Sequence, residues 1–196
     1  MSVISSTGLI ILAAGSSSRL GRPKQLLDYK GQPLLQHTIE IAAQLGCKAS
    51  ALVLGANAHS IEEKIDLKSL DLITNENWEE GIASSIRFGL SHLLDKKSDL
   101  KHVLFLLSDQ PYLSVEVVRE LLSAHDENQA ITACNYKDQM GVPVIFGKLF
   151  FEELMQLKGD QGAKKIVMKN IGIVSTITFV RGEIDVDTEE DYSRLD

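Results

Sequence analysis

Residues 9–27, LIILAAGSSSRLGRPKQLL, contain the stretch from which the fold of this chain is best inferred. The apolar run Leu9–Leu12 does not alternate with polar residues, which is typical of a strand buried on both faces. Small residues from Ala13 to Ser18 follow at once, so that backbone N–H groups can closely approach an anion and surround it. A strand that ends in such a loop is suited to bind phosphate.

Two basic side chains follow this loop. The guanidinium of Arg19 can hold phosphate oxygens bidentately, whereas the ammonium of Lys24 is a compact charge that can follow charge developing on a polyphosphate. The pattern therefore predicts a nucleoside triphosphate site. It is not a Walker A loop, because Gly15 and Gly21 lie too far apart and Lys24 comes after Arg22 and Pro23. The alternative is a Gly/Ser-rich loop whose basic residues are merely solvated.

Length and charge restrict the remaining possibilities. A chain of 196 residues predicts one well-buried domain spanning 1–196. A formal net charge of -7 argues against a general nucleic-acid or anionic-membrane surface. Cys47 and Cys134 have no metal-ligand spacing and predict neither a disulfide framework nor a zinc site. The first residues lack a basic segment and the apolar run is short, so we expect no signal peptide or membrane span and a cytoplasmic protein.

Strand and helix patterns alternate almost throughout the chain. This order predicts a three-layer α/β fold with a mostly parallel sheet and helices on both faces. Asn57 follows the predicted strand Ala49–Leu54, at the position where such sheets present loops to ligands. Pro143 should restrict the predicted strand Gly141–Phe146 to an edge or an irregular position.

The predicted strand Val103–Leu107 is the most apolar in the chain and ends at Ser108 and Asp109. A carboxylate after a buried strand is unfavourable unless a cation lies beside it. In an open parallel sheet this position shares a crevice with the loop that follows the first strand. The alternative is that Asp109 caps the next helix, although Ser114 is itself a good N-cap.

A second acidic motif lies near the carboxyl terminus. In an extended Asp185-Val186-Asp187 segment the two carboxylates point the same way. Together with Asp109 they could hold a hard divalent ion, and Mg²⁺ normally uses one or two carboxylates plus substrate phosphates. Asp109 and Asp187 are the predicted metal ligands. Thr188 and Asp191 also form a plausible capping box, which leaves Asp187 free.

Two further segments carry polar residues at predicted helix starts. Ser84 and Ser85 fall where unpaired helical N–H groups are available for an anion, although the pattern by itself favours an ordinary capped helix. Glycines flank Asp160 ahead of another helix, a pattern that by itself favours an ordinary N-cap.

The pattern L-A-A-G-x-x-x-R-x-G-x-x-K at residues 12–24 resembles the signature loop of nucleotidyltransferases, and most of all the MobA-like family with its molybdenum cofactor guanylyl- and cytidylyltransferases. Residues 75–85 resemble the N-x-x-W-x-x-G-x-x-x-S segment of the cytidylyltransferases, and residues 159–163 resemble their G-D-x-G-A. Residues 141–144 resemble the family's G-x-P-V. Ile82 and Ala83 depart from the Met and Gly of many relatives. The resemblance implies a Rossmann-like nucleotide-diphospho-sugar transferase fold.

The resemblance also implies a division of the site. The residues expected to bind nucleotide are Leu12, Ala13, Ala14, Gly15, Arg19, Lys24, Asn57, Asn75, Ser108 and Asp109. The residues expected to bind the acceptor are Gly81, Ser84, Ser85, Gly141, Pro143, Asp160 and Gly162. Arg19, Lys24 and Asp109 are the expected catalytic residues, with Mg²⁺ as cofactor.

The implied reaction transfers CMP from CTP to the terminal phosphate of molybdenum cofactor and releases pyrophosphate. Guanylyl-transferring relatives typically have L-A-G-G where this chain has Ala14, which favours CTP over GTP. A sugar or polyol phosphate as acceptor, GTP as donor, and a non-enzymatic module that delivers molybdenum cofactor to a hydroxylase remain alternatives. A molybdenum hydroxylase is the expected protein partner; nucleic acid and membrane are not expected partners.

Overall fold

The computed structural model describes residues 3–125, 130–137 and 139–195. The strands are β1 (Thr7–Leu12), β2 (Asp28–Tyr29), β3 (Gln32–Pro33), β4 (Ala49–Leu54), β5 (Asp71–Thr74), β6 (His102–Leu107), β7 (Ile131–Tyr136), β8 (Gln139–Gly147) and β9 (Val174–Thr178). The α-helices are α1 (Leu34–Leu45), α2 (Ala58–Glu62), α3 (Ile82–Lys96), α4 (Val115–Ala124), α5 (Phe151–Met155), α6 (Lys164–Lys169) and α7 (Glu189–Ser193). None of the described helices is both long and apolar enough to cross a membrane.

Within the described residues, seven strands form one sheet in the order β5-β4-β1-β6-β8-β7-β9. β8 runs antiparallel to β6 and β7, while the other neighbouring pairs are parallel. The short strands β2 and β3 pair separately. The predicted mostly parallel sheet is confirmed.

The central strand β1 is buried along its whole length, as its continuous apolar run predicts. Leu9 and Ile11 belong to a core that includes side chains of α1, α2 and α4. Ile10 and Leu12 belong to a second core with side chains of α3, α5 and α6. The sheet is therefore the middle of three layers.

The order of strands reverses beside β1. The chain passes from β1 to β4 and β5 on one side, then returns to place β6 on the other side. β1 and β6 are parallel and in register, with Leu12 opposite Leu107. A crevice opens at the carboxyl ends of strands where such a reversal occurs. The loops that begin at Ala13 and Ser108 therefore leave the sheet side by side.

β8 is paired on both sides, so of the two positions predicted for Pro143, an edge or an irregular one, the structure shows the irregular one. The predicted irregularity is confirmed by a register shift along β7, where Ala133 faces Val144 but Cys134 faces Gly141. A proline without an N–H is tolerated where the ladder is interrupted. The chain thus accommodates Pro143 without losing a regular ladder bond there.

Predicted helix boundaries are confirmed where a local signal is strong. Gly46 ends α1 in the left-handed conformation. Ser114, not Asp109, caps α4 by accepting a bond from the N–H of Val117. Thr188 and Asp191 form the expected capping box of α7.

The carboxyl-terminal segment packs against the loop that follows β1. Val186 is fully buried in a small core with Leu20, Leu27, Tyr29 and Leu34. Its N–H donates to the carbonyl oxygen of Asp109 at 3.1 Å. This anchor holds the neighbouring acidic residues beside the end of β6.

Val186→Ala should lower the free energy of unfolding by about 2 kcal/mol, because a buried side chain is truncated and leaves a cavity. Val180→Ala is the matched control, since Val180 is 76% exposed and should change stability by less than about 0.5 kcal/mol. Urea unfolding of both variants measures the difference. Equal losses would contradict the anchoring role of Val186.

Candidate functional site

The loop after β1 is held in shape by Gln25, a residue that the sequence patterns did not single out. Gln25 is 1% exposed, and its Nε2 donates to the carbonyl oxygens of Ala13 at 2.8 Å and Gly15 at 3.1 Å. The N–H of Lys24 donates to Ser17 Oγ at 3.1 Å. These bonds fold residues 13–24 back on themselves, so that the side chain of Lys24 reaches the end of β6.

A cavity of about 360 Å³ opens at the carboxyl ends of β1 and β6. Its wall contains these residues predicted for the site: Leu12, Ala13, Ala14, Gly15, Lys24, Gly81, Ser85, Ser108, Asp109 and Asp160. It also contains residues that were not predicted: Ser16, Gln25, Trp78, Glu79, Ile82 and Leu107. The structure thus places most predicted nucleotide residues and part of the predicted acceptor set around one space.

The other predicted residues lie outside this wall: Arg19, Asn57, Asn75, Ser84, Gly141, Pro143, Gly162 and Asp187. Arg19 and Asp187 still contact residues of the site through ion pairs. Asn57 is exposed and precedes α2. The binding roles predicted for these residues stay predictions.

Asn75 joins the end of β5 to the start of α3. It is 2% exposed, and its Nδ2 donates to Ser84 Oγ at 2.8 Å and to Ser85 Oγ at 3.0 Å. Asn75 Oδ1 accepts from the N–H of Asn77 at 3.0 Å. The network fixes the first turn of α3, whose Ser85 lines the cavity.

Gly81 allows the loop that carries Asp160 to approach α3. Its φ is +113°, and an added Cβ would lie 2.5 Å from the carbonyl of Gly159 and 2.6 Å from Asp160 Oδ1. No side chain larger than hydrogen fits there without displacing that loop.

Gly141 has a different role, since an added Cβ would lie 1.9 Å from Tyr136 Oη. Gly141 makes room for Tyr136 next to the register shift.

Basic side chains of the signature loop form ion pairs with acidic side chains that follow β6 and precede α7. Lys24 Nζ lies 2.5 Å from Asp109 Oδ2 and 2.8 Å from Asp187 Oδ1. Arg19 Nη2 donates to Asp187 Oδ2 at 2.7 Å. The Lys24 and Asp109 side chains are only 16% and 15% exposed, so this pair is shielded from water. The two predicted phosphate-binding cations are thus paired with the two predicted metal ligands.

The pairing keeps these groups charged. Burial alone would lower the pKa of Lys24, but Asp109 and Asp187 outweigh it, and the pKa is raised. Burial would raise the pKa of Asp187, but Lys24 and Arg19 outweigh it, and the pKa is lowered. Burial, and then the charge of Asp109, raise the pKa of the nearby Asp185 to about 7.

The donor set fits a divalent cation such as Mg²⁺. Asp109 Oδ1 is buried and has no hydrogen-bond partner among the described residues, which leaves an oxygen available to a ligand. Asp109 and Asp187 together supply carboxylate oxygens, the ligands that hard cations prefer. The described residues contain no group of three or more His, Cys, Asp or Glu side chains arranged for a metal. An ion here would complete its coordination with water and phosphate oxygens.

A MobA-like NTP transferase domain matches residues 9–173. The chain belongs to this family. It is a nucleotidyltransferase, as the signature loop predicts. Residues 174–196 lie beyond the matched range, so Asp187 reaches the site from outside it.

Relatives extend the likeness over nearly the whole chain. Nicotine blue oxidoreductase of Paenarthrobacter nicotinovorans is 34% identical over 95% of this chain and 94% of its own length. The crystal structure of Rv0371c from Mycobacterium tuberculosis H37Rv superposes with a TM-score of 0.87 at 32% identity, covering 97% of this chain and 96% of that chain. A structure of Rv0371c in complex with manganese gives a TM-score of 0.82 at 29% identity, covering 97% and 98%.

Gly81→Ala should lower the free energy of unfolding by about 2–3 kcal/mol, because it combines a positive φ with a clash against the loop of Asp160. Gly172→Ala is the control, since an added Cβ there would meet no described atom within 4 Å. Urea unfolding compares the two. A Gly81→Ala protein as stable as the control variant would contradict the close approach.

Proposed function

We propose that this chain acts as one cytoplasmic nucleotidyltransferase domain that moves CMP from CTP to the terminal phosphate of a molybdopterin-type molybdenum cofactor. Pyrophosphate is the second product, and Mg²⁺ is the proposed cofactor. A molybdenum hydroxylase that receives the product is the proposed protein partner.

The observation that carries this proposal is the meeting of Lys24, Asp109 and Asp187 beside a loop of small residues. This set combines a mobile cation for phosphate oxygens with carboxylates for a hard metal ion. The cavity continues from this cluster to Ser85 and Asp160, which leaves room for an acceptor next to the donor. A reaction between two phosphates fits such an arrangement.

In the proposed reaction an oxygen of the acceptor phosphate attacks the α-phosphorus of the nucleotide. The new P–O bond forms as the bond from the α-phosphorus to the leaving pyrophosphate breaks. The acceptor phosphate is already ionised at neutral pH, so no side chain has to remove a proton. The loop amides, Arg19 and Lys24 hold the phosphates in line and offset their charge. When bound to Asp109 and Asp187, a divalent ion would add further neutralisation of phosphate charge.

Ala14 supports CTP as the donor. Ala14 and Trp78 both line the cavity, and Gly55 packs against both residues. A Cβ added at Gly55 would lie 2.6 Å from Trp78 Cβ and 2.9 Å from Ala14 Cβ, so this wall is tightly packed. The methyl group of Ala14 fills space beside the cavity that a glycine would leave open, and a smaller space for the base favours a pyrimidine over a purine.

The name of the relative from Paenarthrobacter nicotinovorans denotes an oxidoreductase, and its identity of 34% over 95% of this chain makes oxidation–reduction of nicotine blue a second candidate. The paired carboxylates and cations favour the transfer reaction, since they fit a polyphosphate and a metal ion. The absorbance of nicotine blue, followed with a nicotinamide cofactor present, tests the second candidate on the same preparation.

Pyrophosphate release in the presence of Mg²⁺ tests the proposed function directly, with CTP, GTP, ATP and UTP compared with and without molybdenum cofactor. Release should require both CTP and the cofactor. Asp109→Asn should lower this turnover at least about 100-fold, because charge stabilisation at the reacting phosphates is lost. Asp99→Asn, at a side chain 70% exposed, is the control and should keep full turnover. Full turnover in Asp109→Asn would contradict the assignment of Asp109.

Ala14→Gly should lower the ratio of kcat/KM for CTP to kcat/KM for GTP by about tenfold, because removal of one methyl group enlarges the space for the base. Ala56→Gly removes a methyl group from the neighbouring loop, outside the cavity wall, and should leave the ratio unchanged. Steady-state kinetics with both nucleotides measures the ratios. An unchanged ratio in Ala14→Gly would exclude the methyl group as a determinant of base preference.

A further inference from the structure

Cations of the chain itself occupy most of the oxygens available to a metal. Lys24 Nζ contacts one oxygen of Asp109 at 2.5 Å and one oxygen of Asp187 at 2.8 Å. Arg19 holds the second oxygen of Asp187 at 2.7 Å. The remaining oxygen, Asp109 Oδ1, is buried without a described partner. The carboxylates are therefore engaged by the same two side chains that suit a triphosphate.

The ammonium of Lys24 lies between the two carboxylates, at the position that an ion bridging Asp109 Oδ2 and Asp187 Oδ1 would take. An ion that binds both Asp109 and Asp187 needs oxygens of both within about 2.0–2.1 Å if it is Mg²⁺. Lys24 Nζ already lies within hydrogen-bond distance of both carboxylates. Two cations cannot share this position, because they would overlap and repel each other.

We propose that Lys24 occupies the metal position in the nucleotide-free protein, and that a triphosphate admits the divalent ion by drawing Lys24 and Arg19 onto its own oxygens. The proposal rests on the proposed function for the identity of the nucleotide, but it requires neither an acceptor nor turnover. Lys24 is then a positioning residue for the metal as well as a ligand for phosphate.

The charges explain why the exchange needs the nucleotide. The carboxylates of Asp109 and Asp187 are balanced by Lys24 and Arg19, and the Lys24–Asp109 pair is shielded from water. A divalent ion alone would break the Lys24 pairs and leave the displaced ammonium without a partner. A triphosphate supplies new anionic partners for both side chains and further oxygens for the ion. Metal and nucleotide should therefore each strengthen the binding of the other, because binding coupling is reciprocal.

The experiment measures Mn²⁺ affinity without nucleotide, by electron paramagnetic resonance of free Mn²⁺. Lys24→Gln should bind Mn²⁺ at least about tenfold more tightly than the unaltered protein, since two carboxylates lose their competing ammonium. Lys24→Met keeps an unbranched side chain of similar length and should show the same gain in Mn²⁺ affinity. It replaces Lys24→Gln as the test variant if Lys24→Gln folds poorly. Lys24→Arg retains the positive charge and should leave Mn²⁺ binding weak.

Arg22→Gln is the matched control. Arg22 lies in the same loop but pairs with Glu189, at 2.9 and 3.0 Å, so its loss removes one positive charge without freeing Asp109 or Asp187. It should change Mn²⁺ affinity less than twofold. Adding Asp187→Asn to Lys24→Gln should abolish the gain, which would assign the bound ion to the carboxylates.

The outcomes separate this proposal from the proposed function. Mn²⁺ affinity that is unchanged or weaker in folded Lys24→Gln and Lys24→Met would overturn the exchange, whatever the pyrophosphate assay gives. A gain as large in Arg22→Gln would overturn it too, because the effect would then be one of net charge. Tighter Mn²⁺ binding confined to the Lys24 variants would support it even if CTP is not the donor.

Discussion

The site depends above all on the parallel pairing of β1 with β6. Leu12 faces Leu107, so the two strands end at the same level and their loops enter one crevice. One loop carries Lys24 and the other begins with Ser108 and Asp109. A shift of this register would separate the cation from the carboxylate, although neither residue belongs to the ladder. The buried apolar faces of β1 fix the register, because both layers of helices pack against it.

A second constraint comes from the carboxyl-terminal segment. Val186 is buried among residues of the loop region, and Arg22 pairs with Glu189 through both oxygens at 2.9 and 3.0 Å. Asp187 directly follows the buried Val186 and therefore reaches Lys24, although Lys24 and Asp187 are 163 positions apart. A carboxylate supplied from beyond the matched family domain thus completes the cluster. The packing of one valine thus places a carboxylate whose position the local sequence does not reveal.

Features with local causes were predictable. The continuous apolar run of β1 indicated a strand buried on both faces, and the capping residues Ser114 and Thr188 marked helix starts. The roles of Gln25 and Trp78 were not predictable. Gln25 bonds to the carbonyl oxygens of residues 10 and 12 positions away in the sequence. Trp78 packs against Gly55, where the absence of a side chain leaves space for it. Such contacts exist only after the sheet has formed.

The sequence left two positions open for Pro143, an edge strand or an irregular part of the sheet. The pairing of β7 with β8 decides between them, because Ala133 pairs with Val144 and Cys134 with Gly141, which leaves Pro143 outside the regular ladder. Ser84 and Asn75 show the converse case, in which polar residues near a ligand crevice bond to each other and shape its wall. Residue type indicates the chemistry a side chain can perform, but its partners decide whether it is available to a ligand.

Lys24 is the clearest example of that distinction. A buried ammonium is unfavourable without anions, and buried carboxylates are unfavourable without cations, so a site that collects both must let them neutralise each other when no substrate is present. The groups suited to a triphosphate and a metal therefore offset each other's burial cost in the resting protein. A ligand has to replace these internal contacts, and its net affinity is smaller than the sum of the contacts it makes. The same internal contacts keep the charged groups close to the positions from which they would bind a ligand.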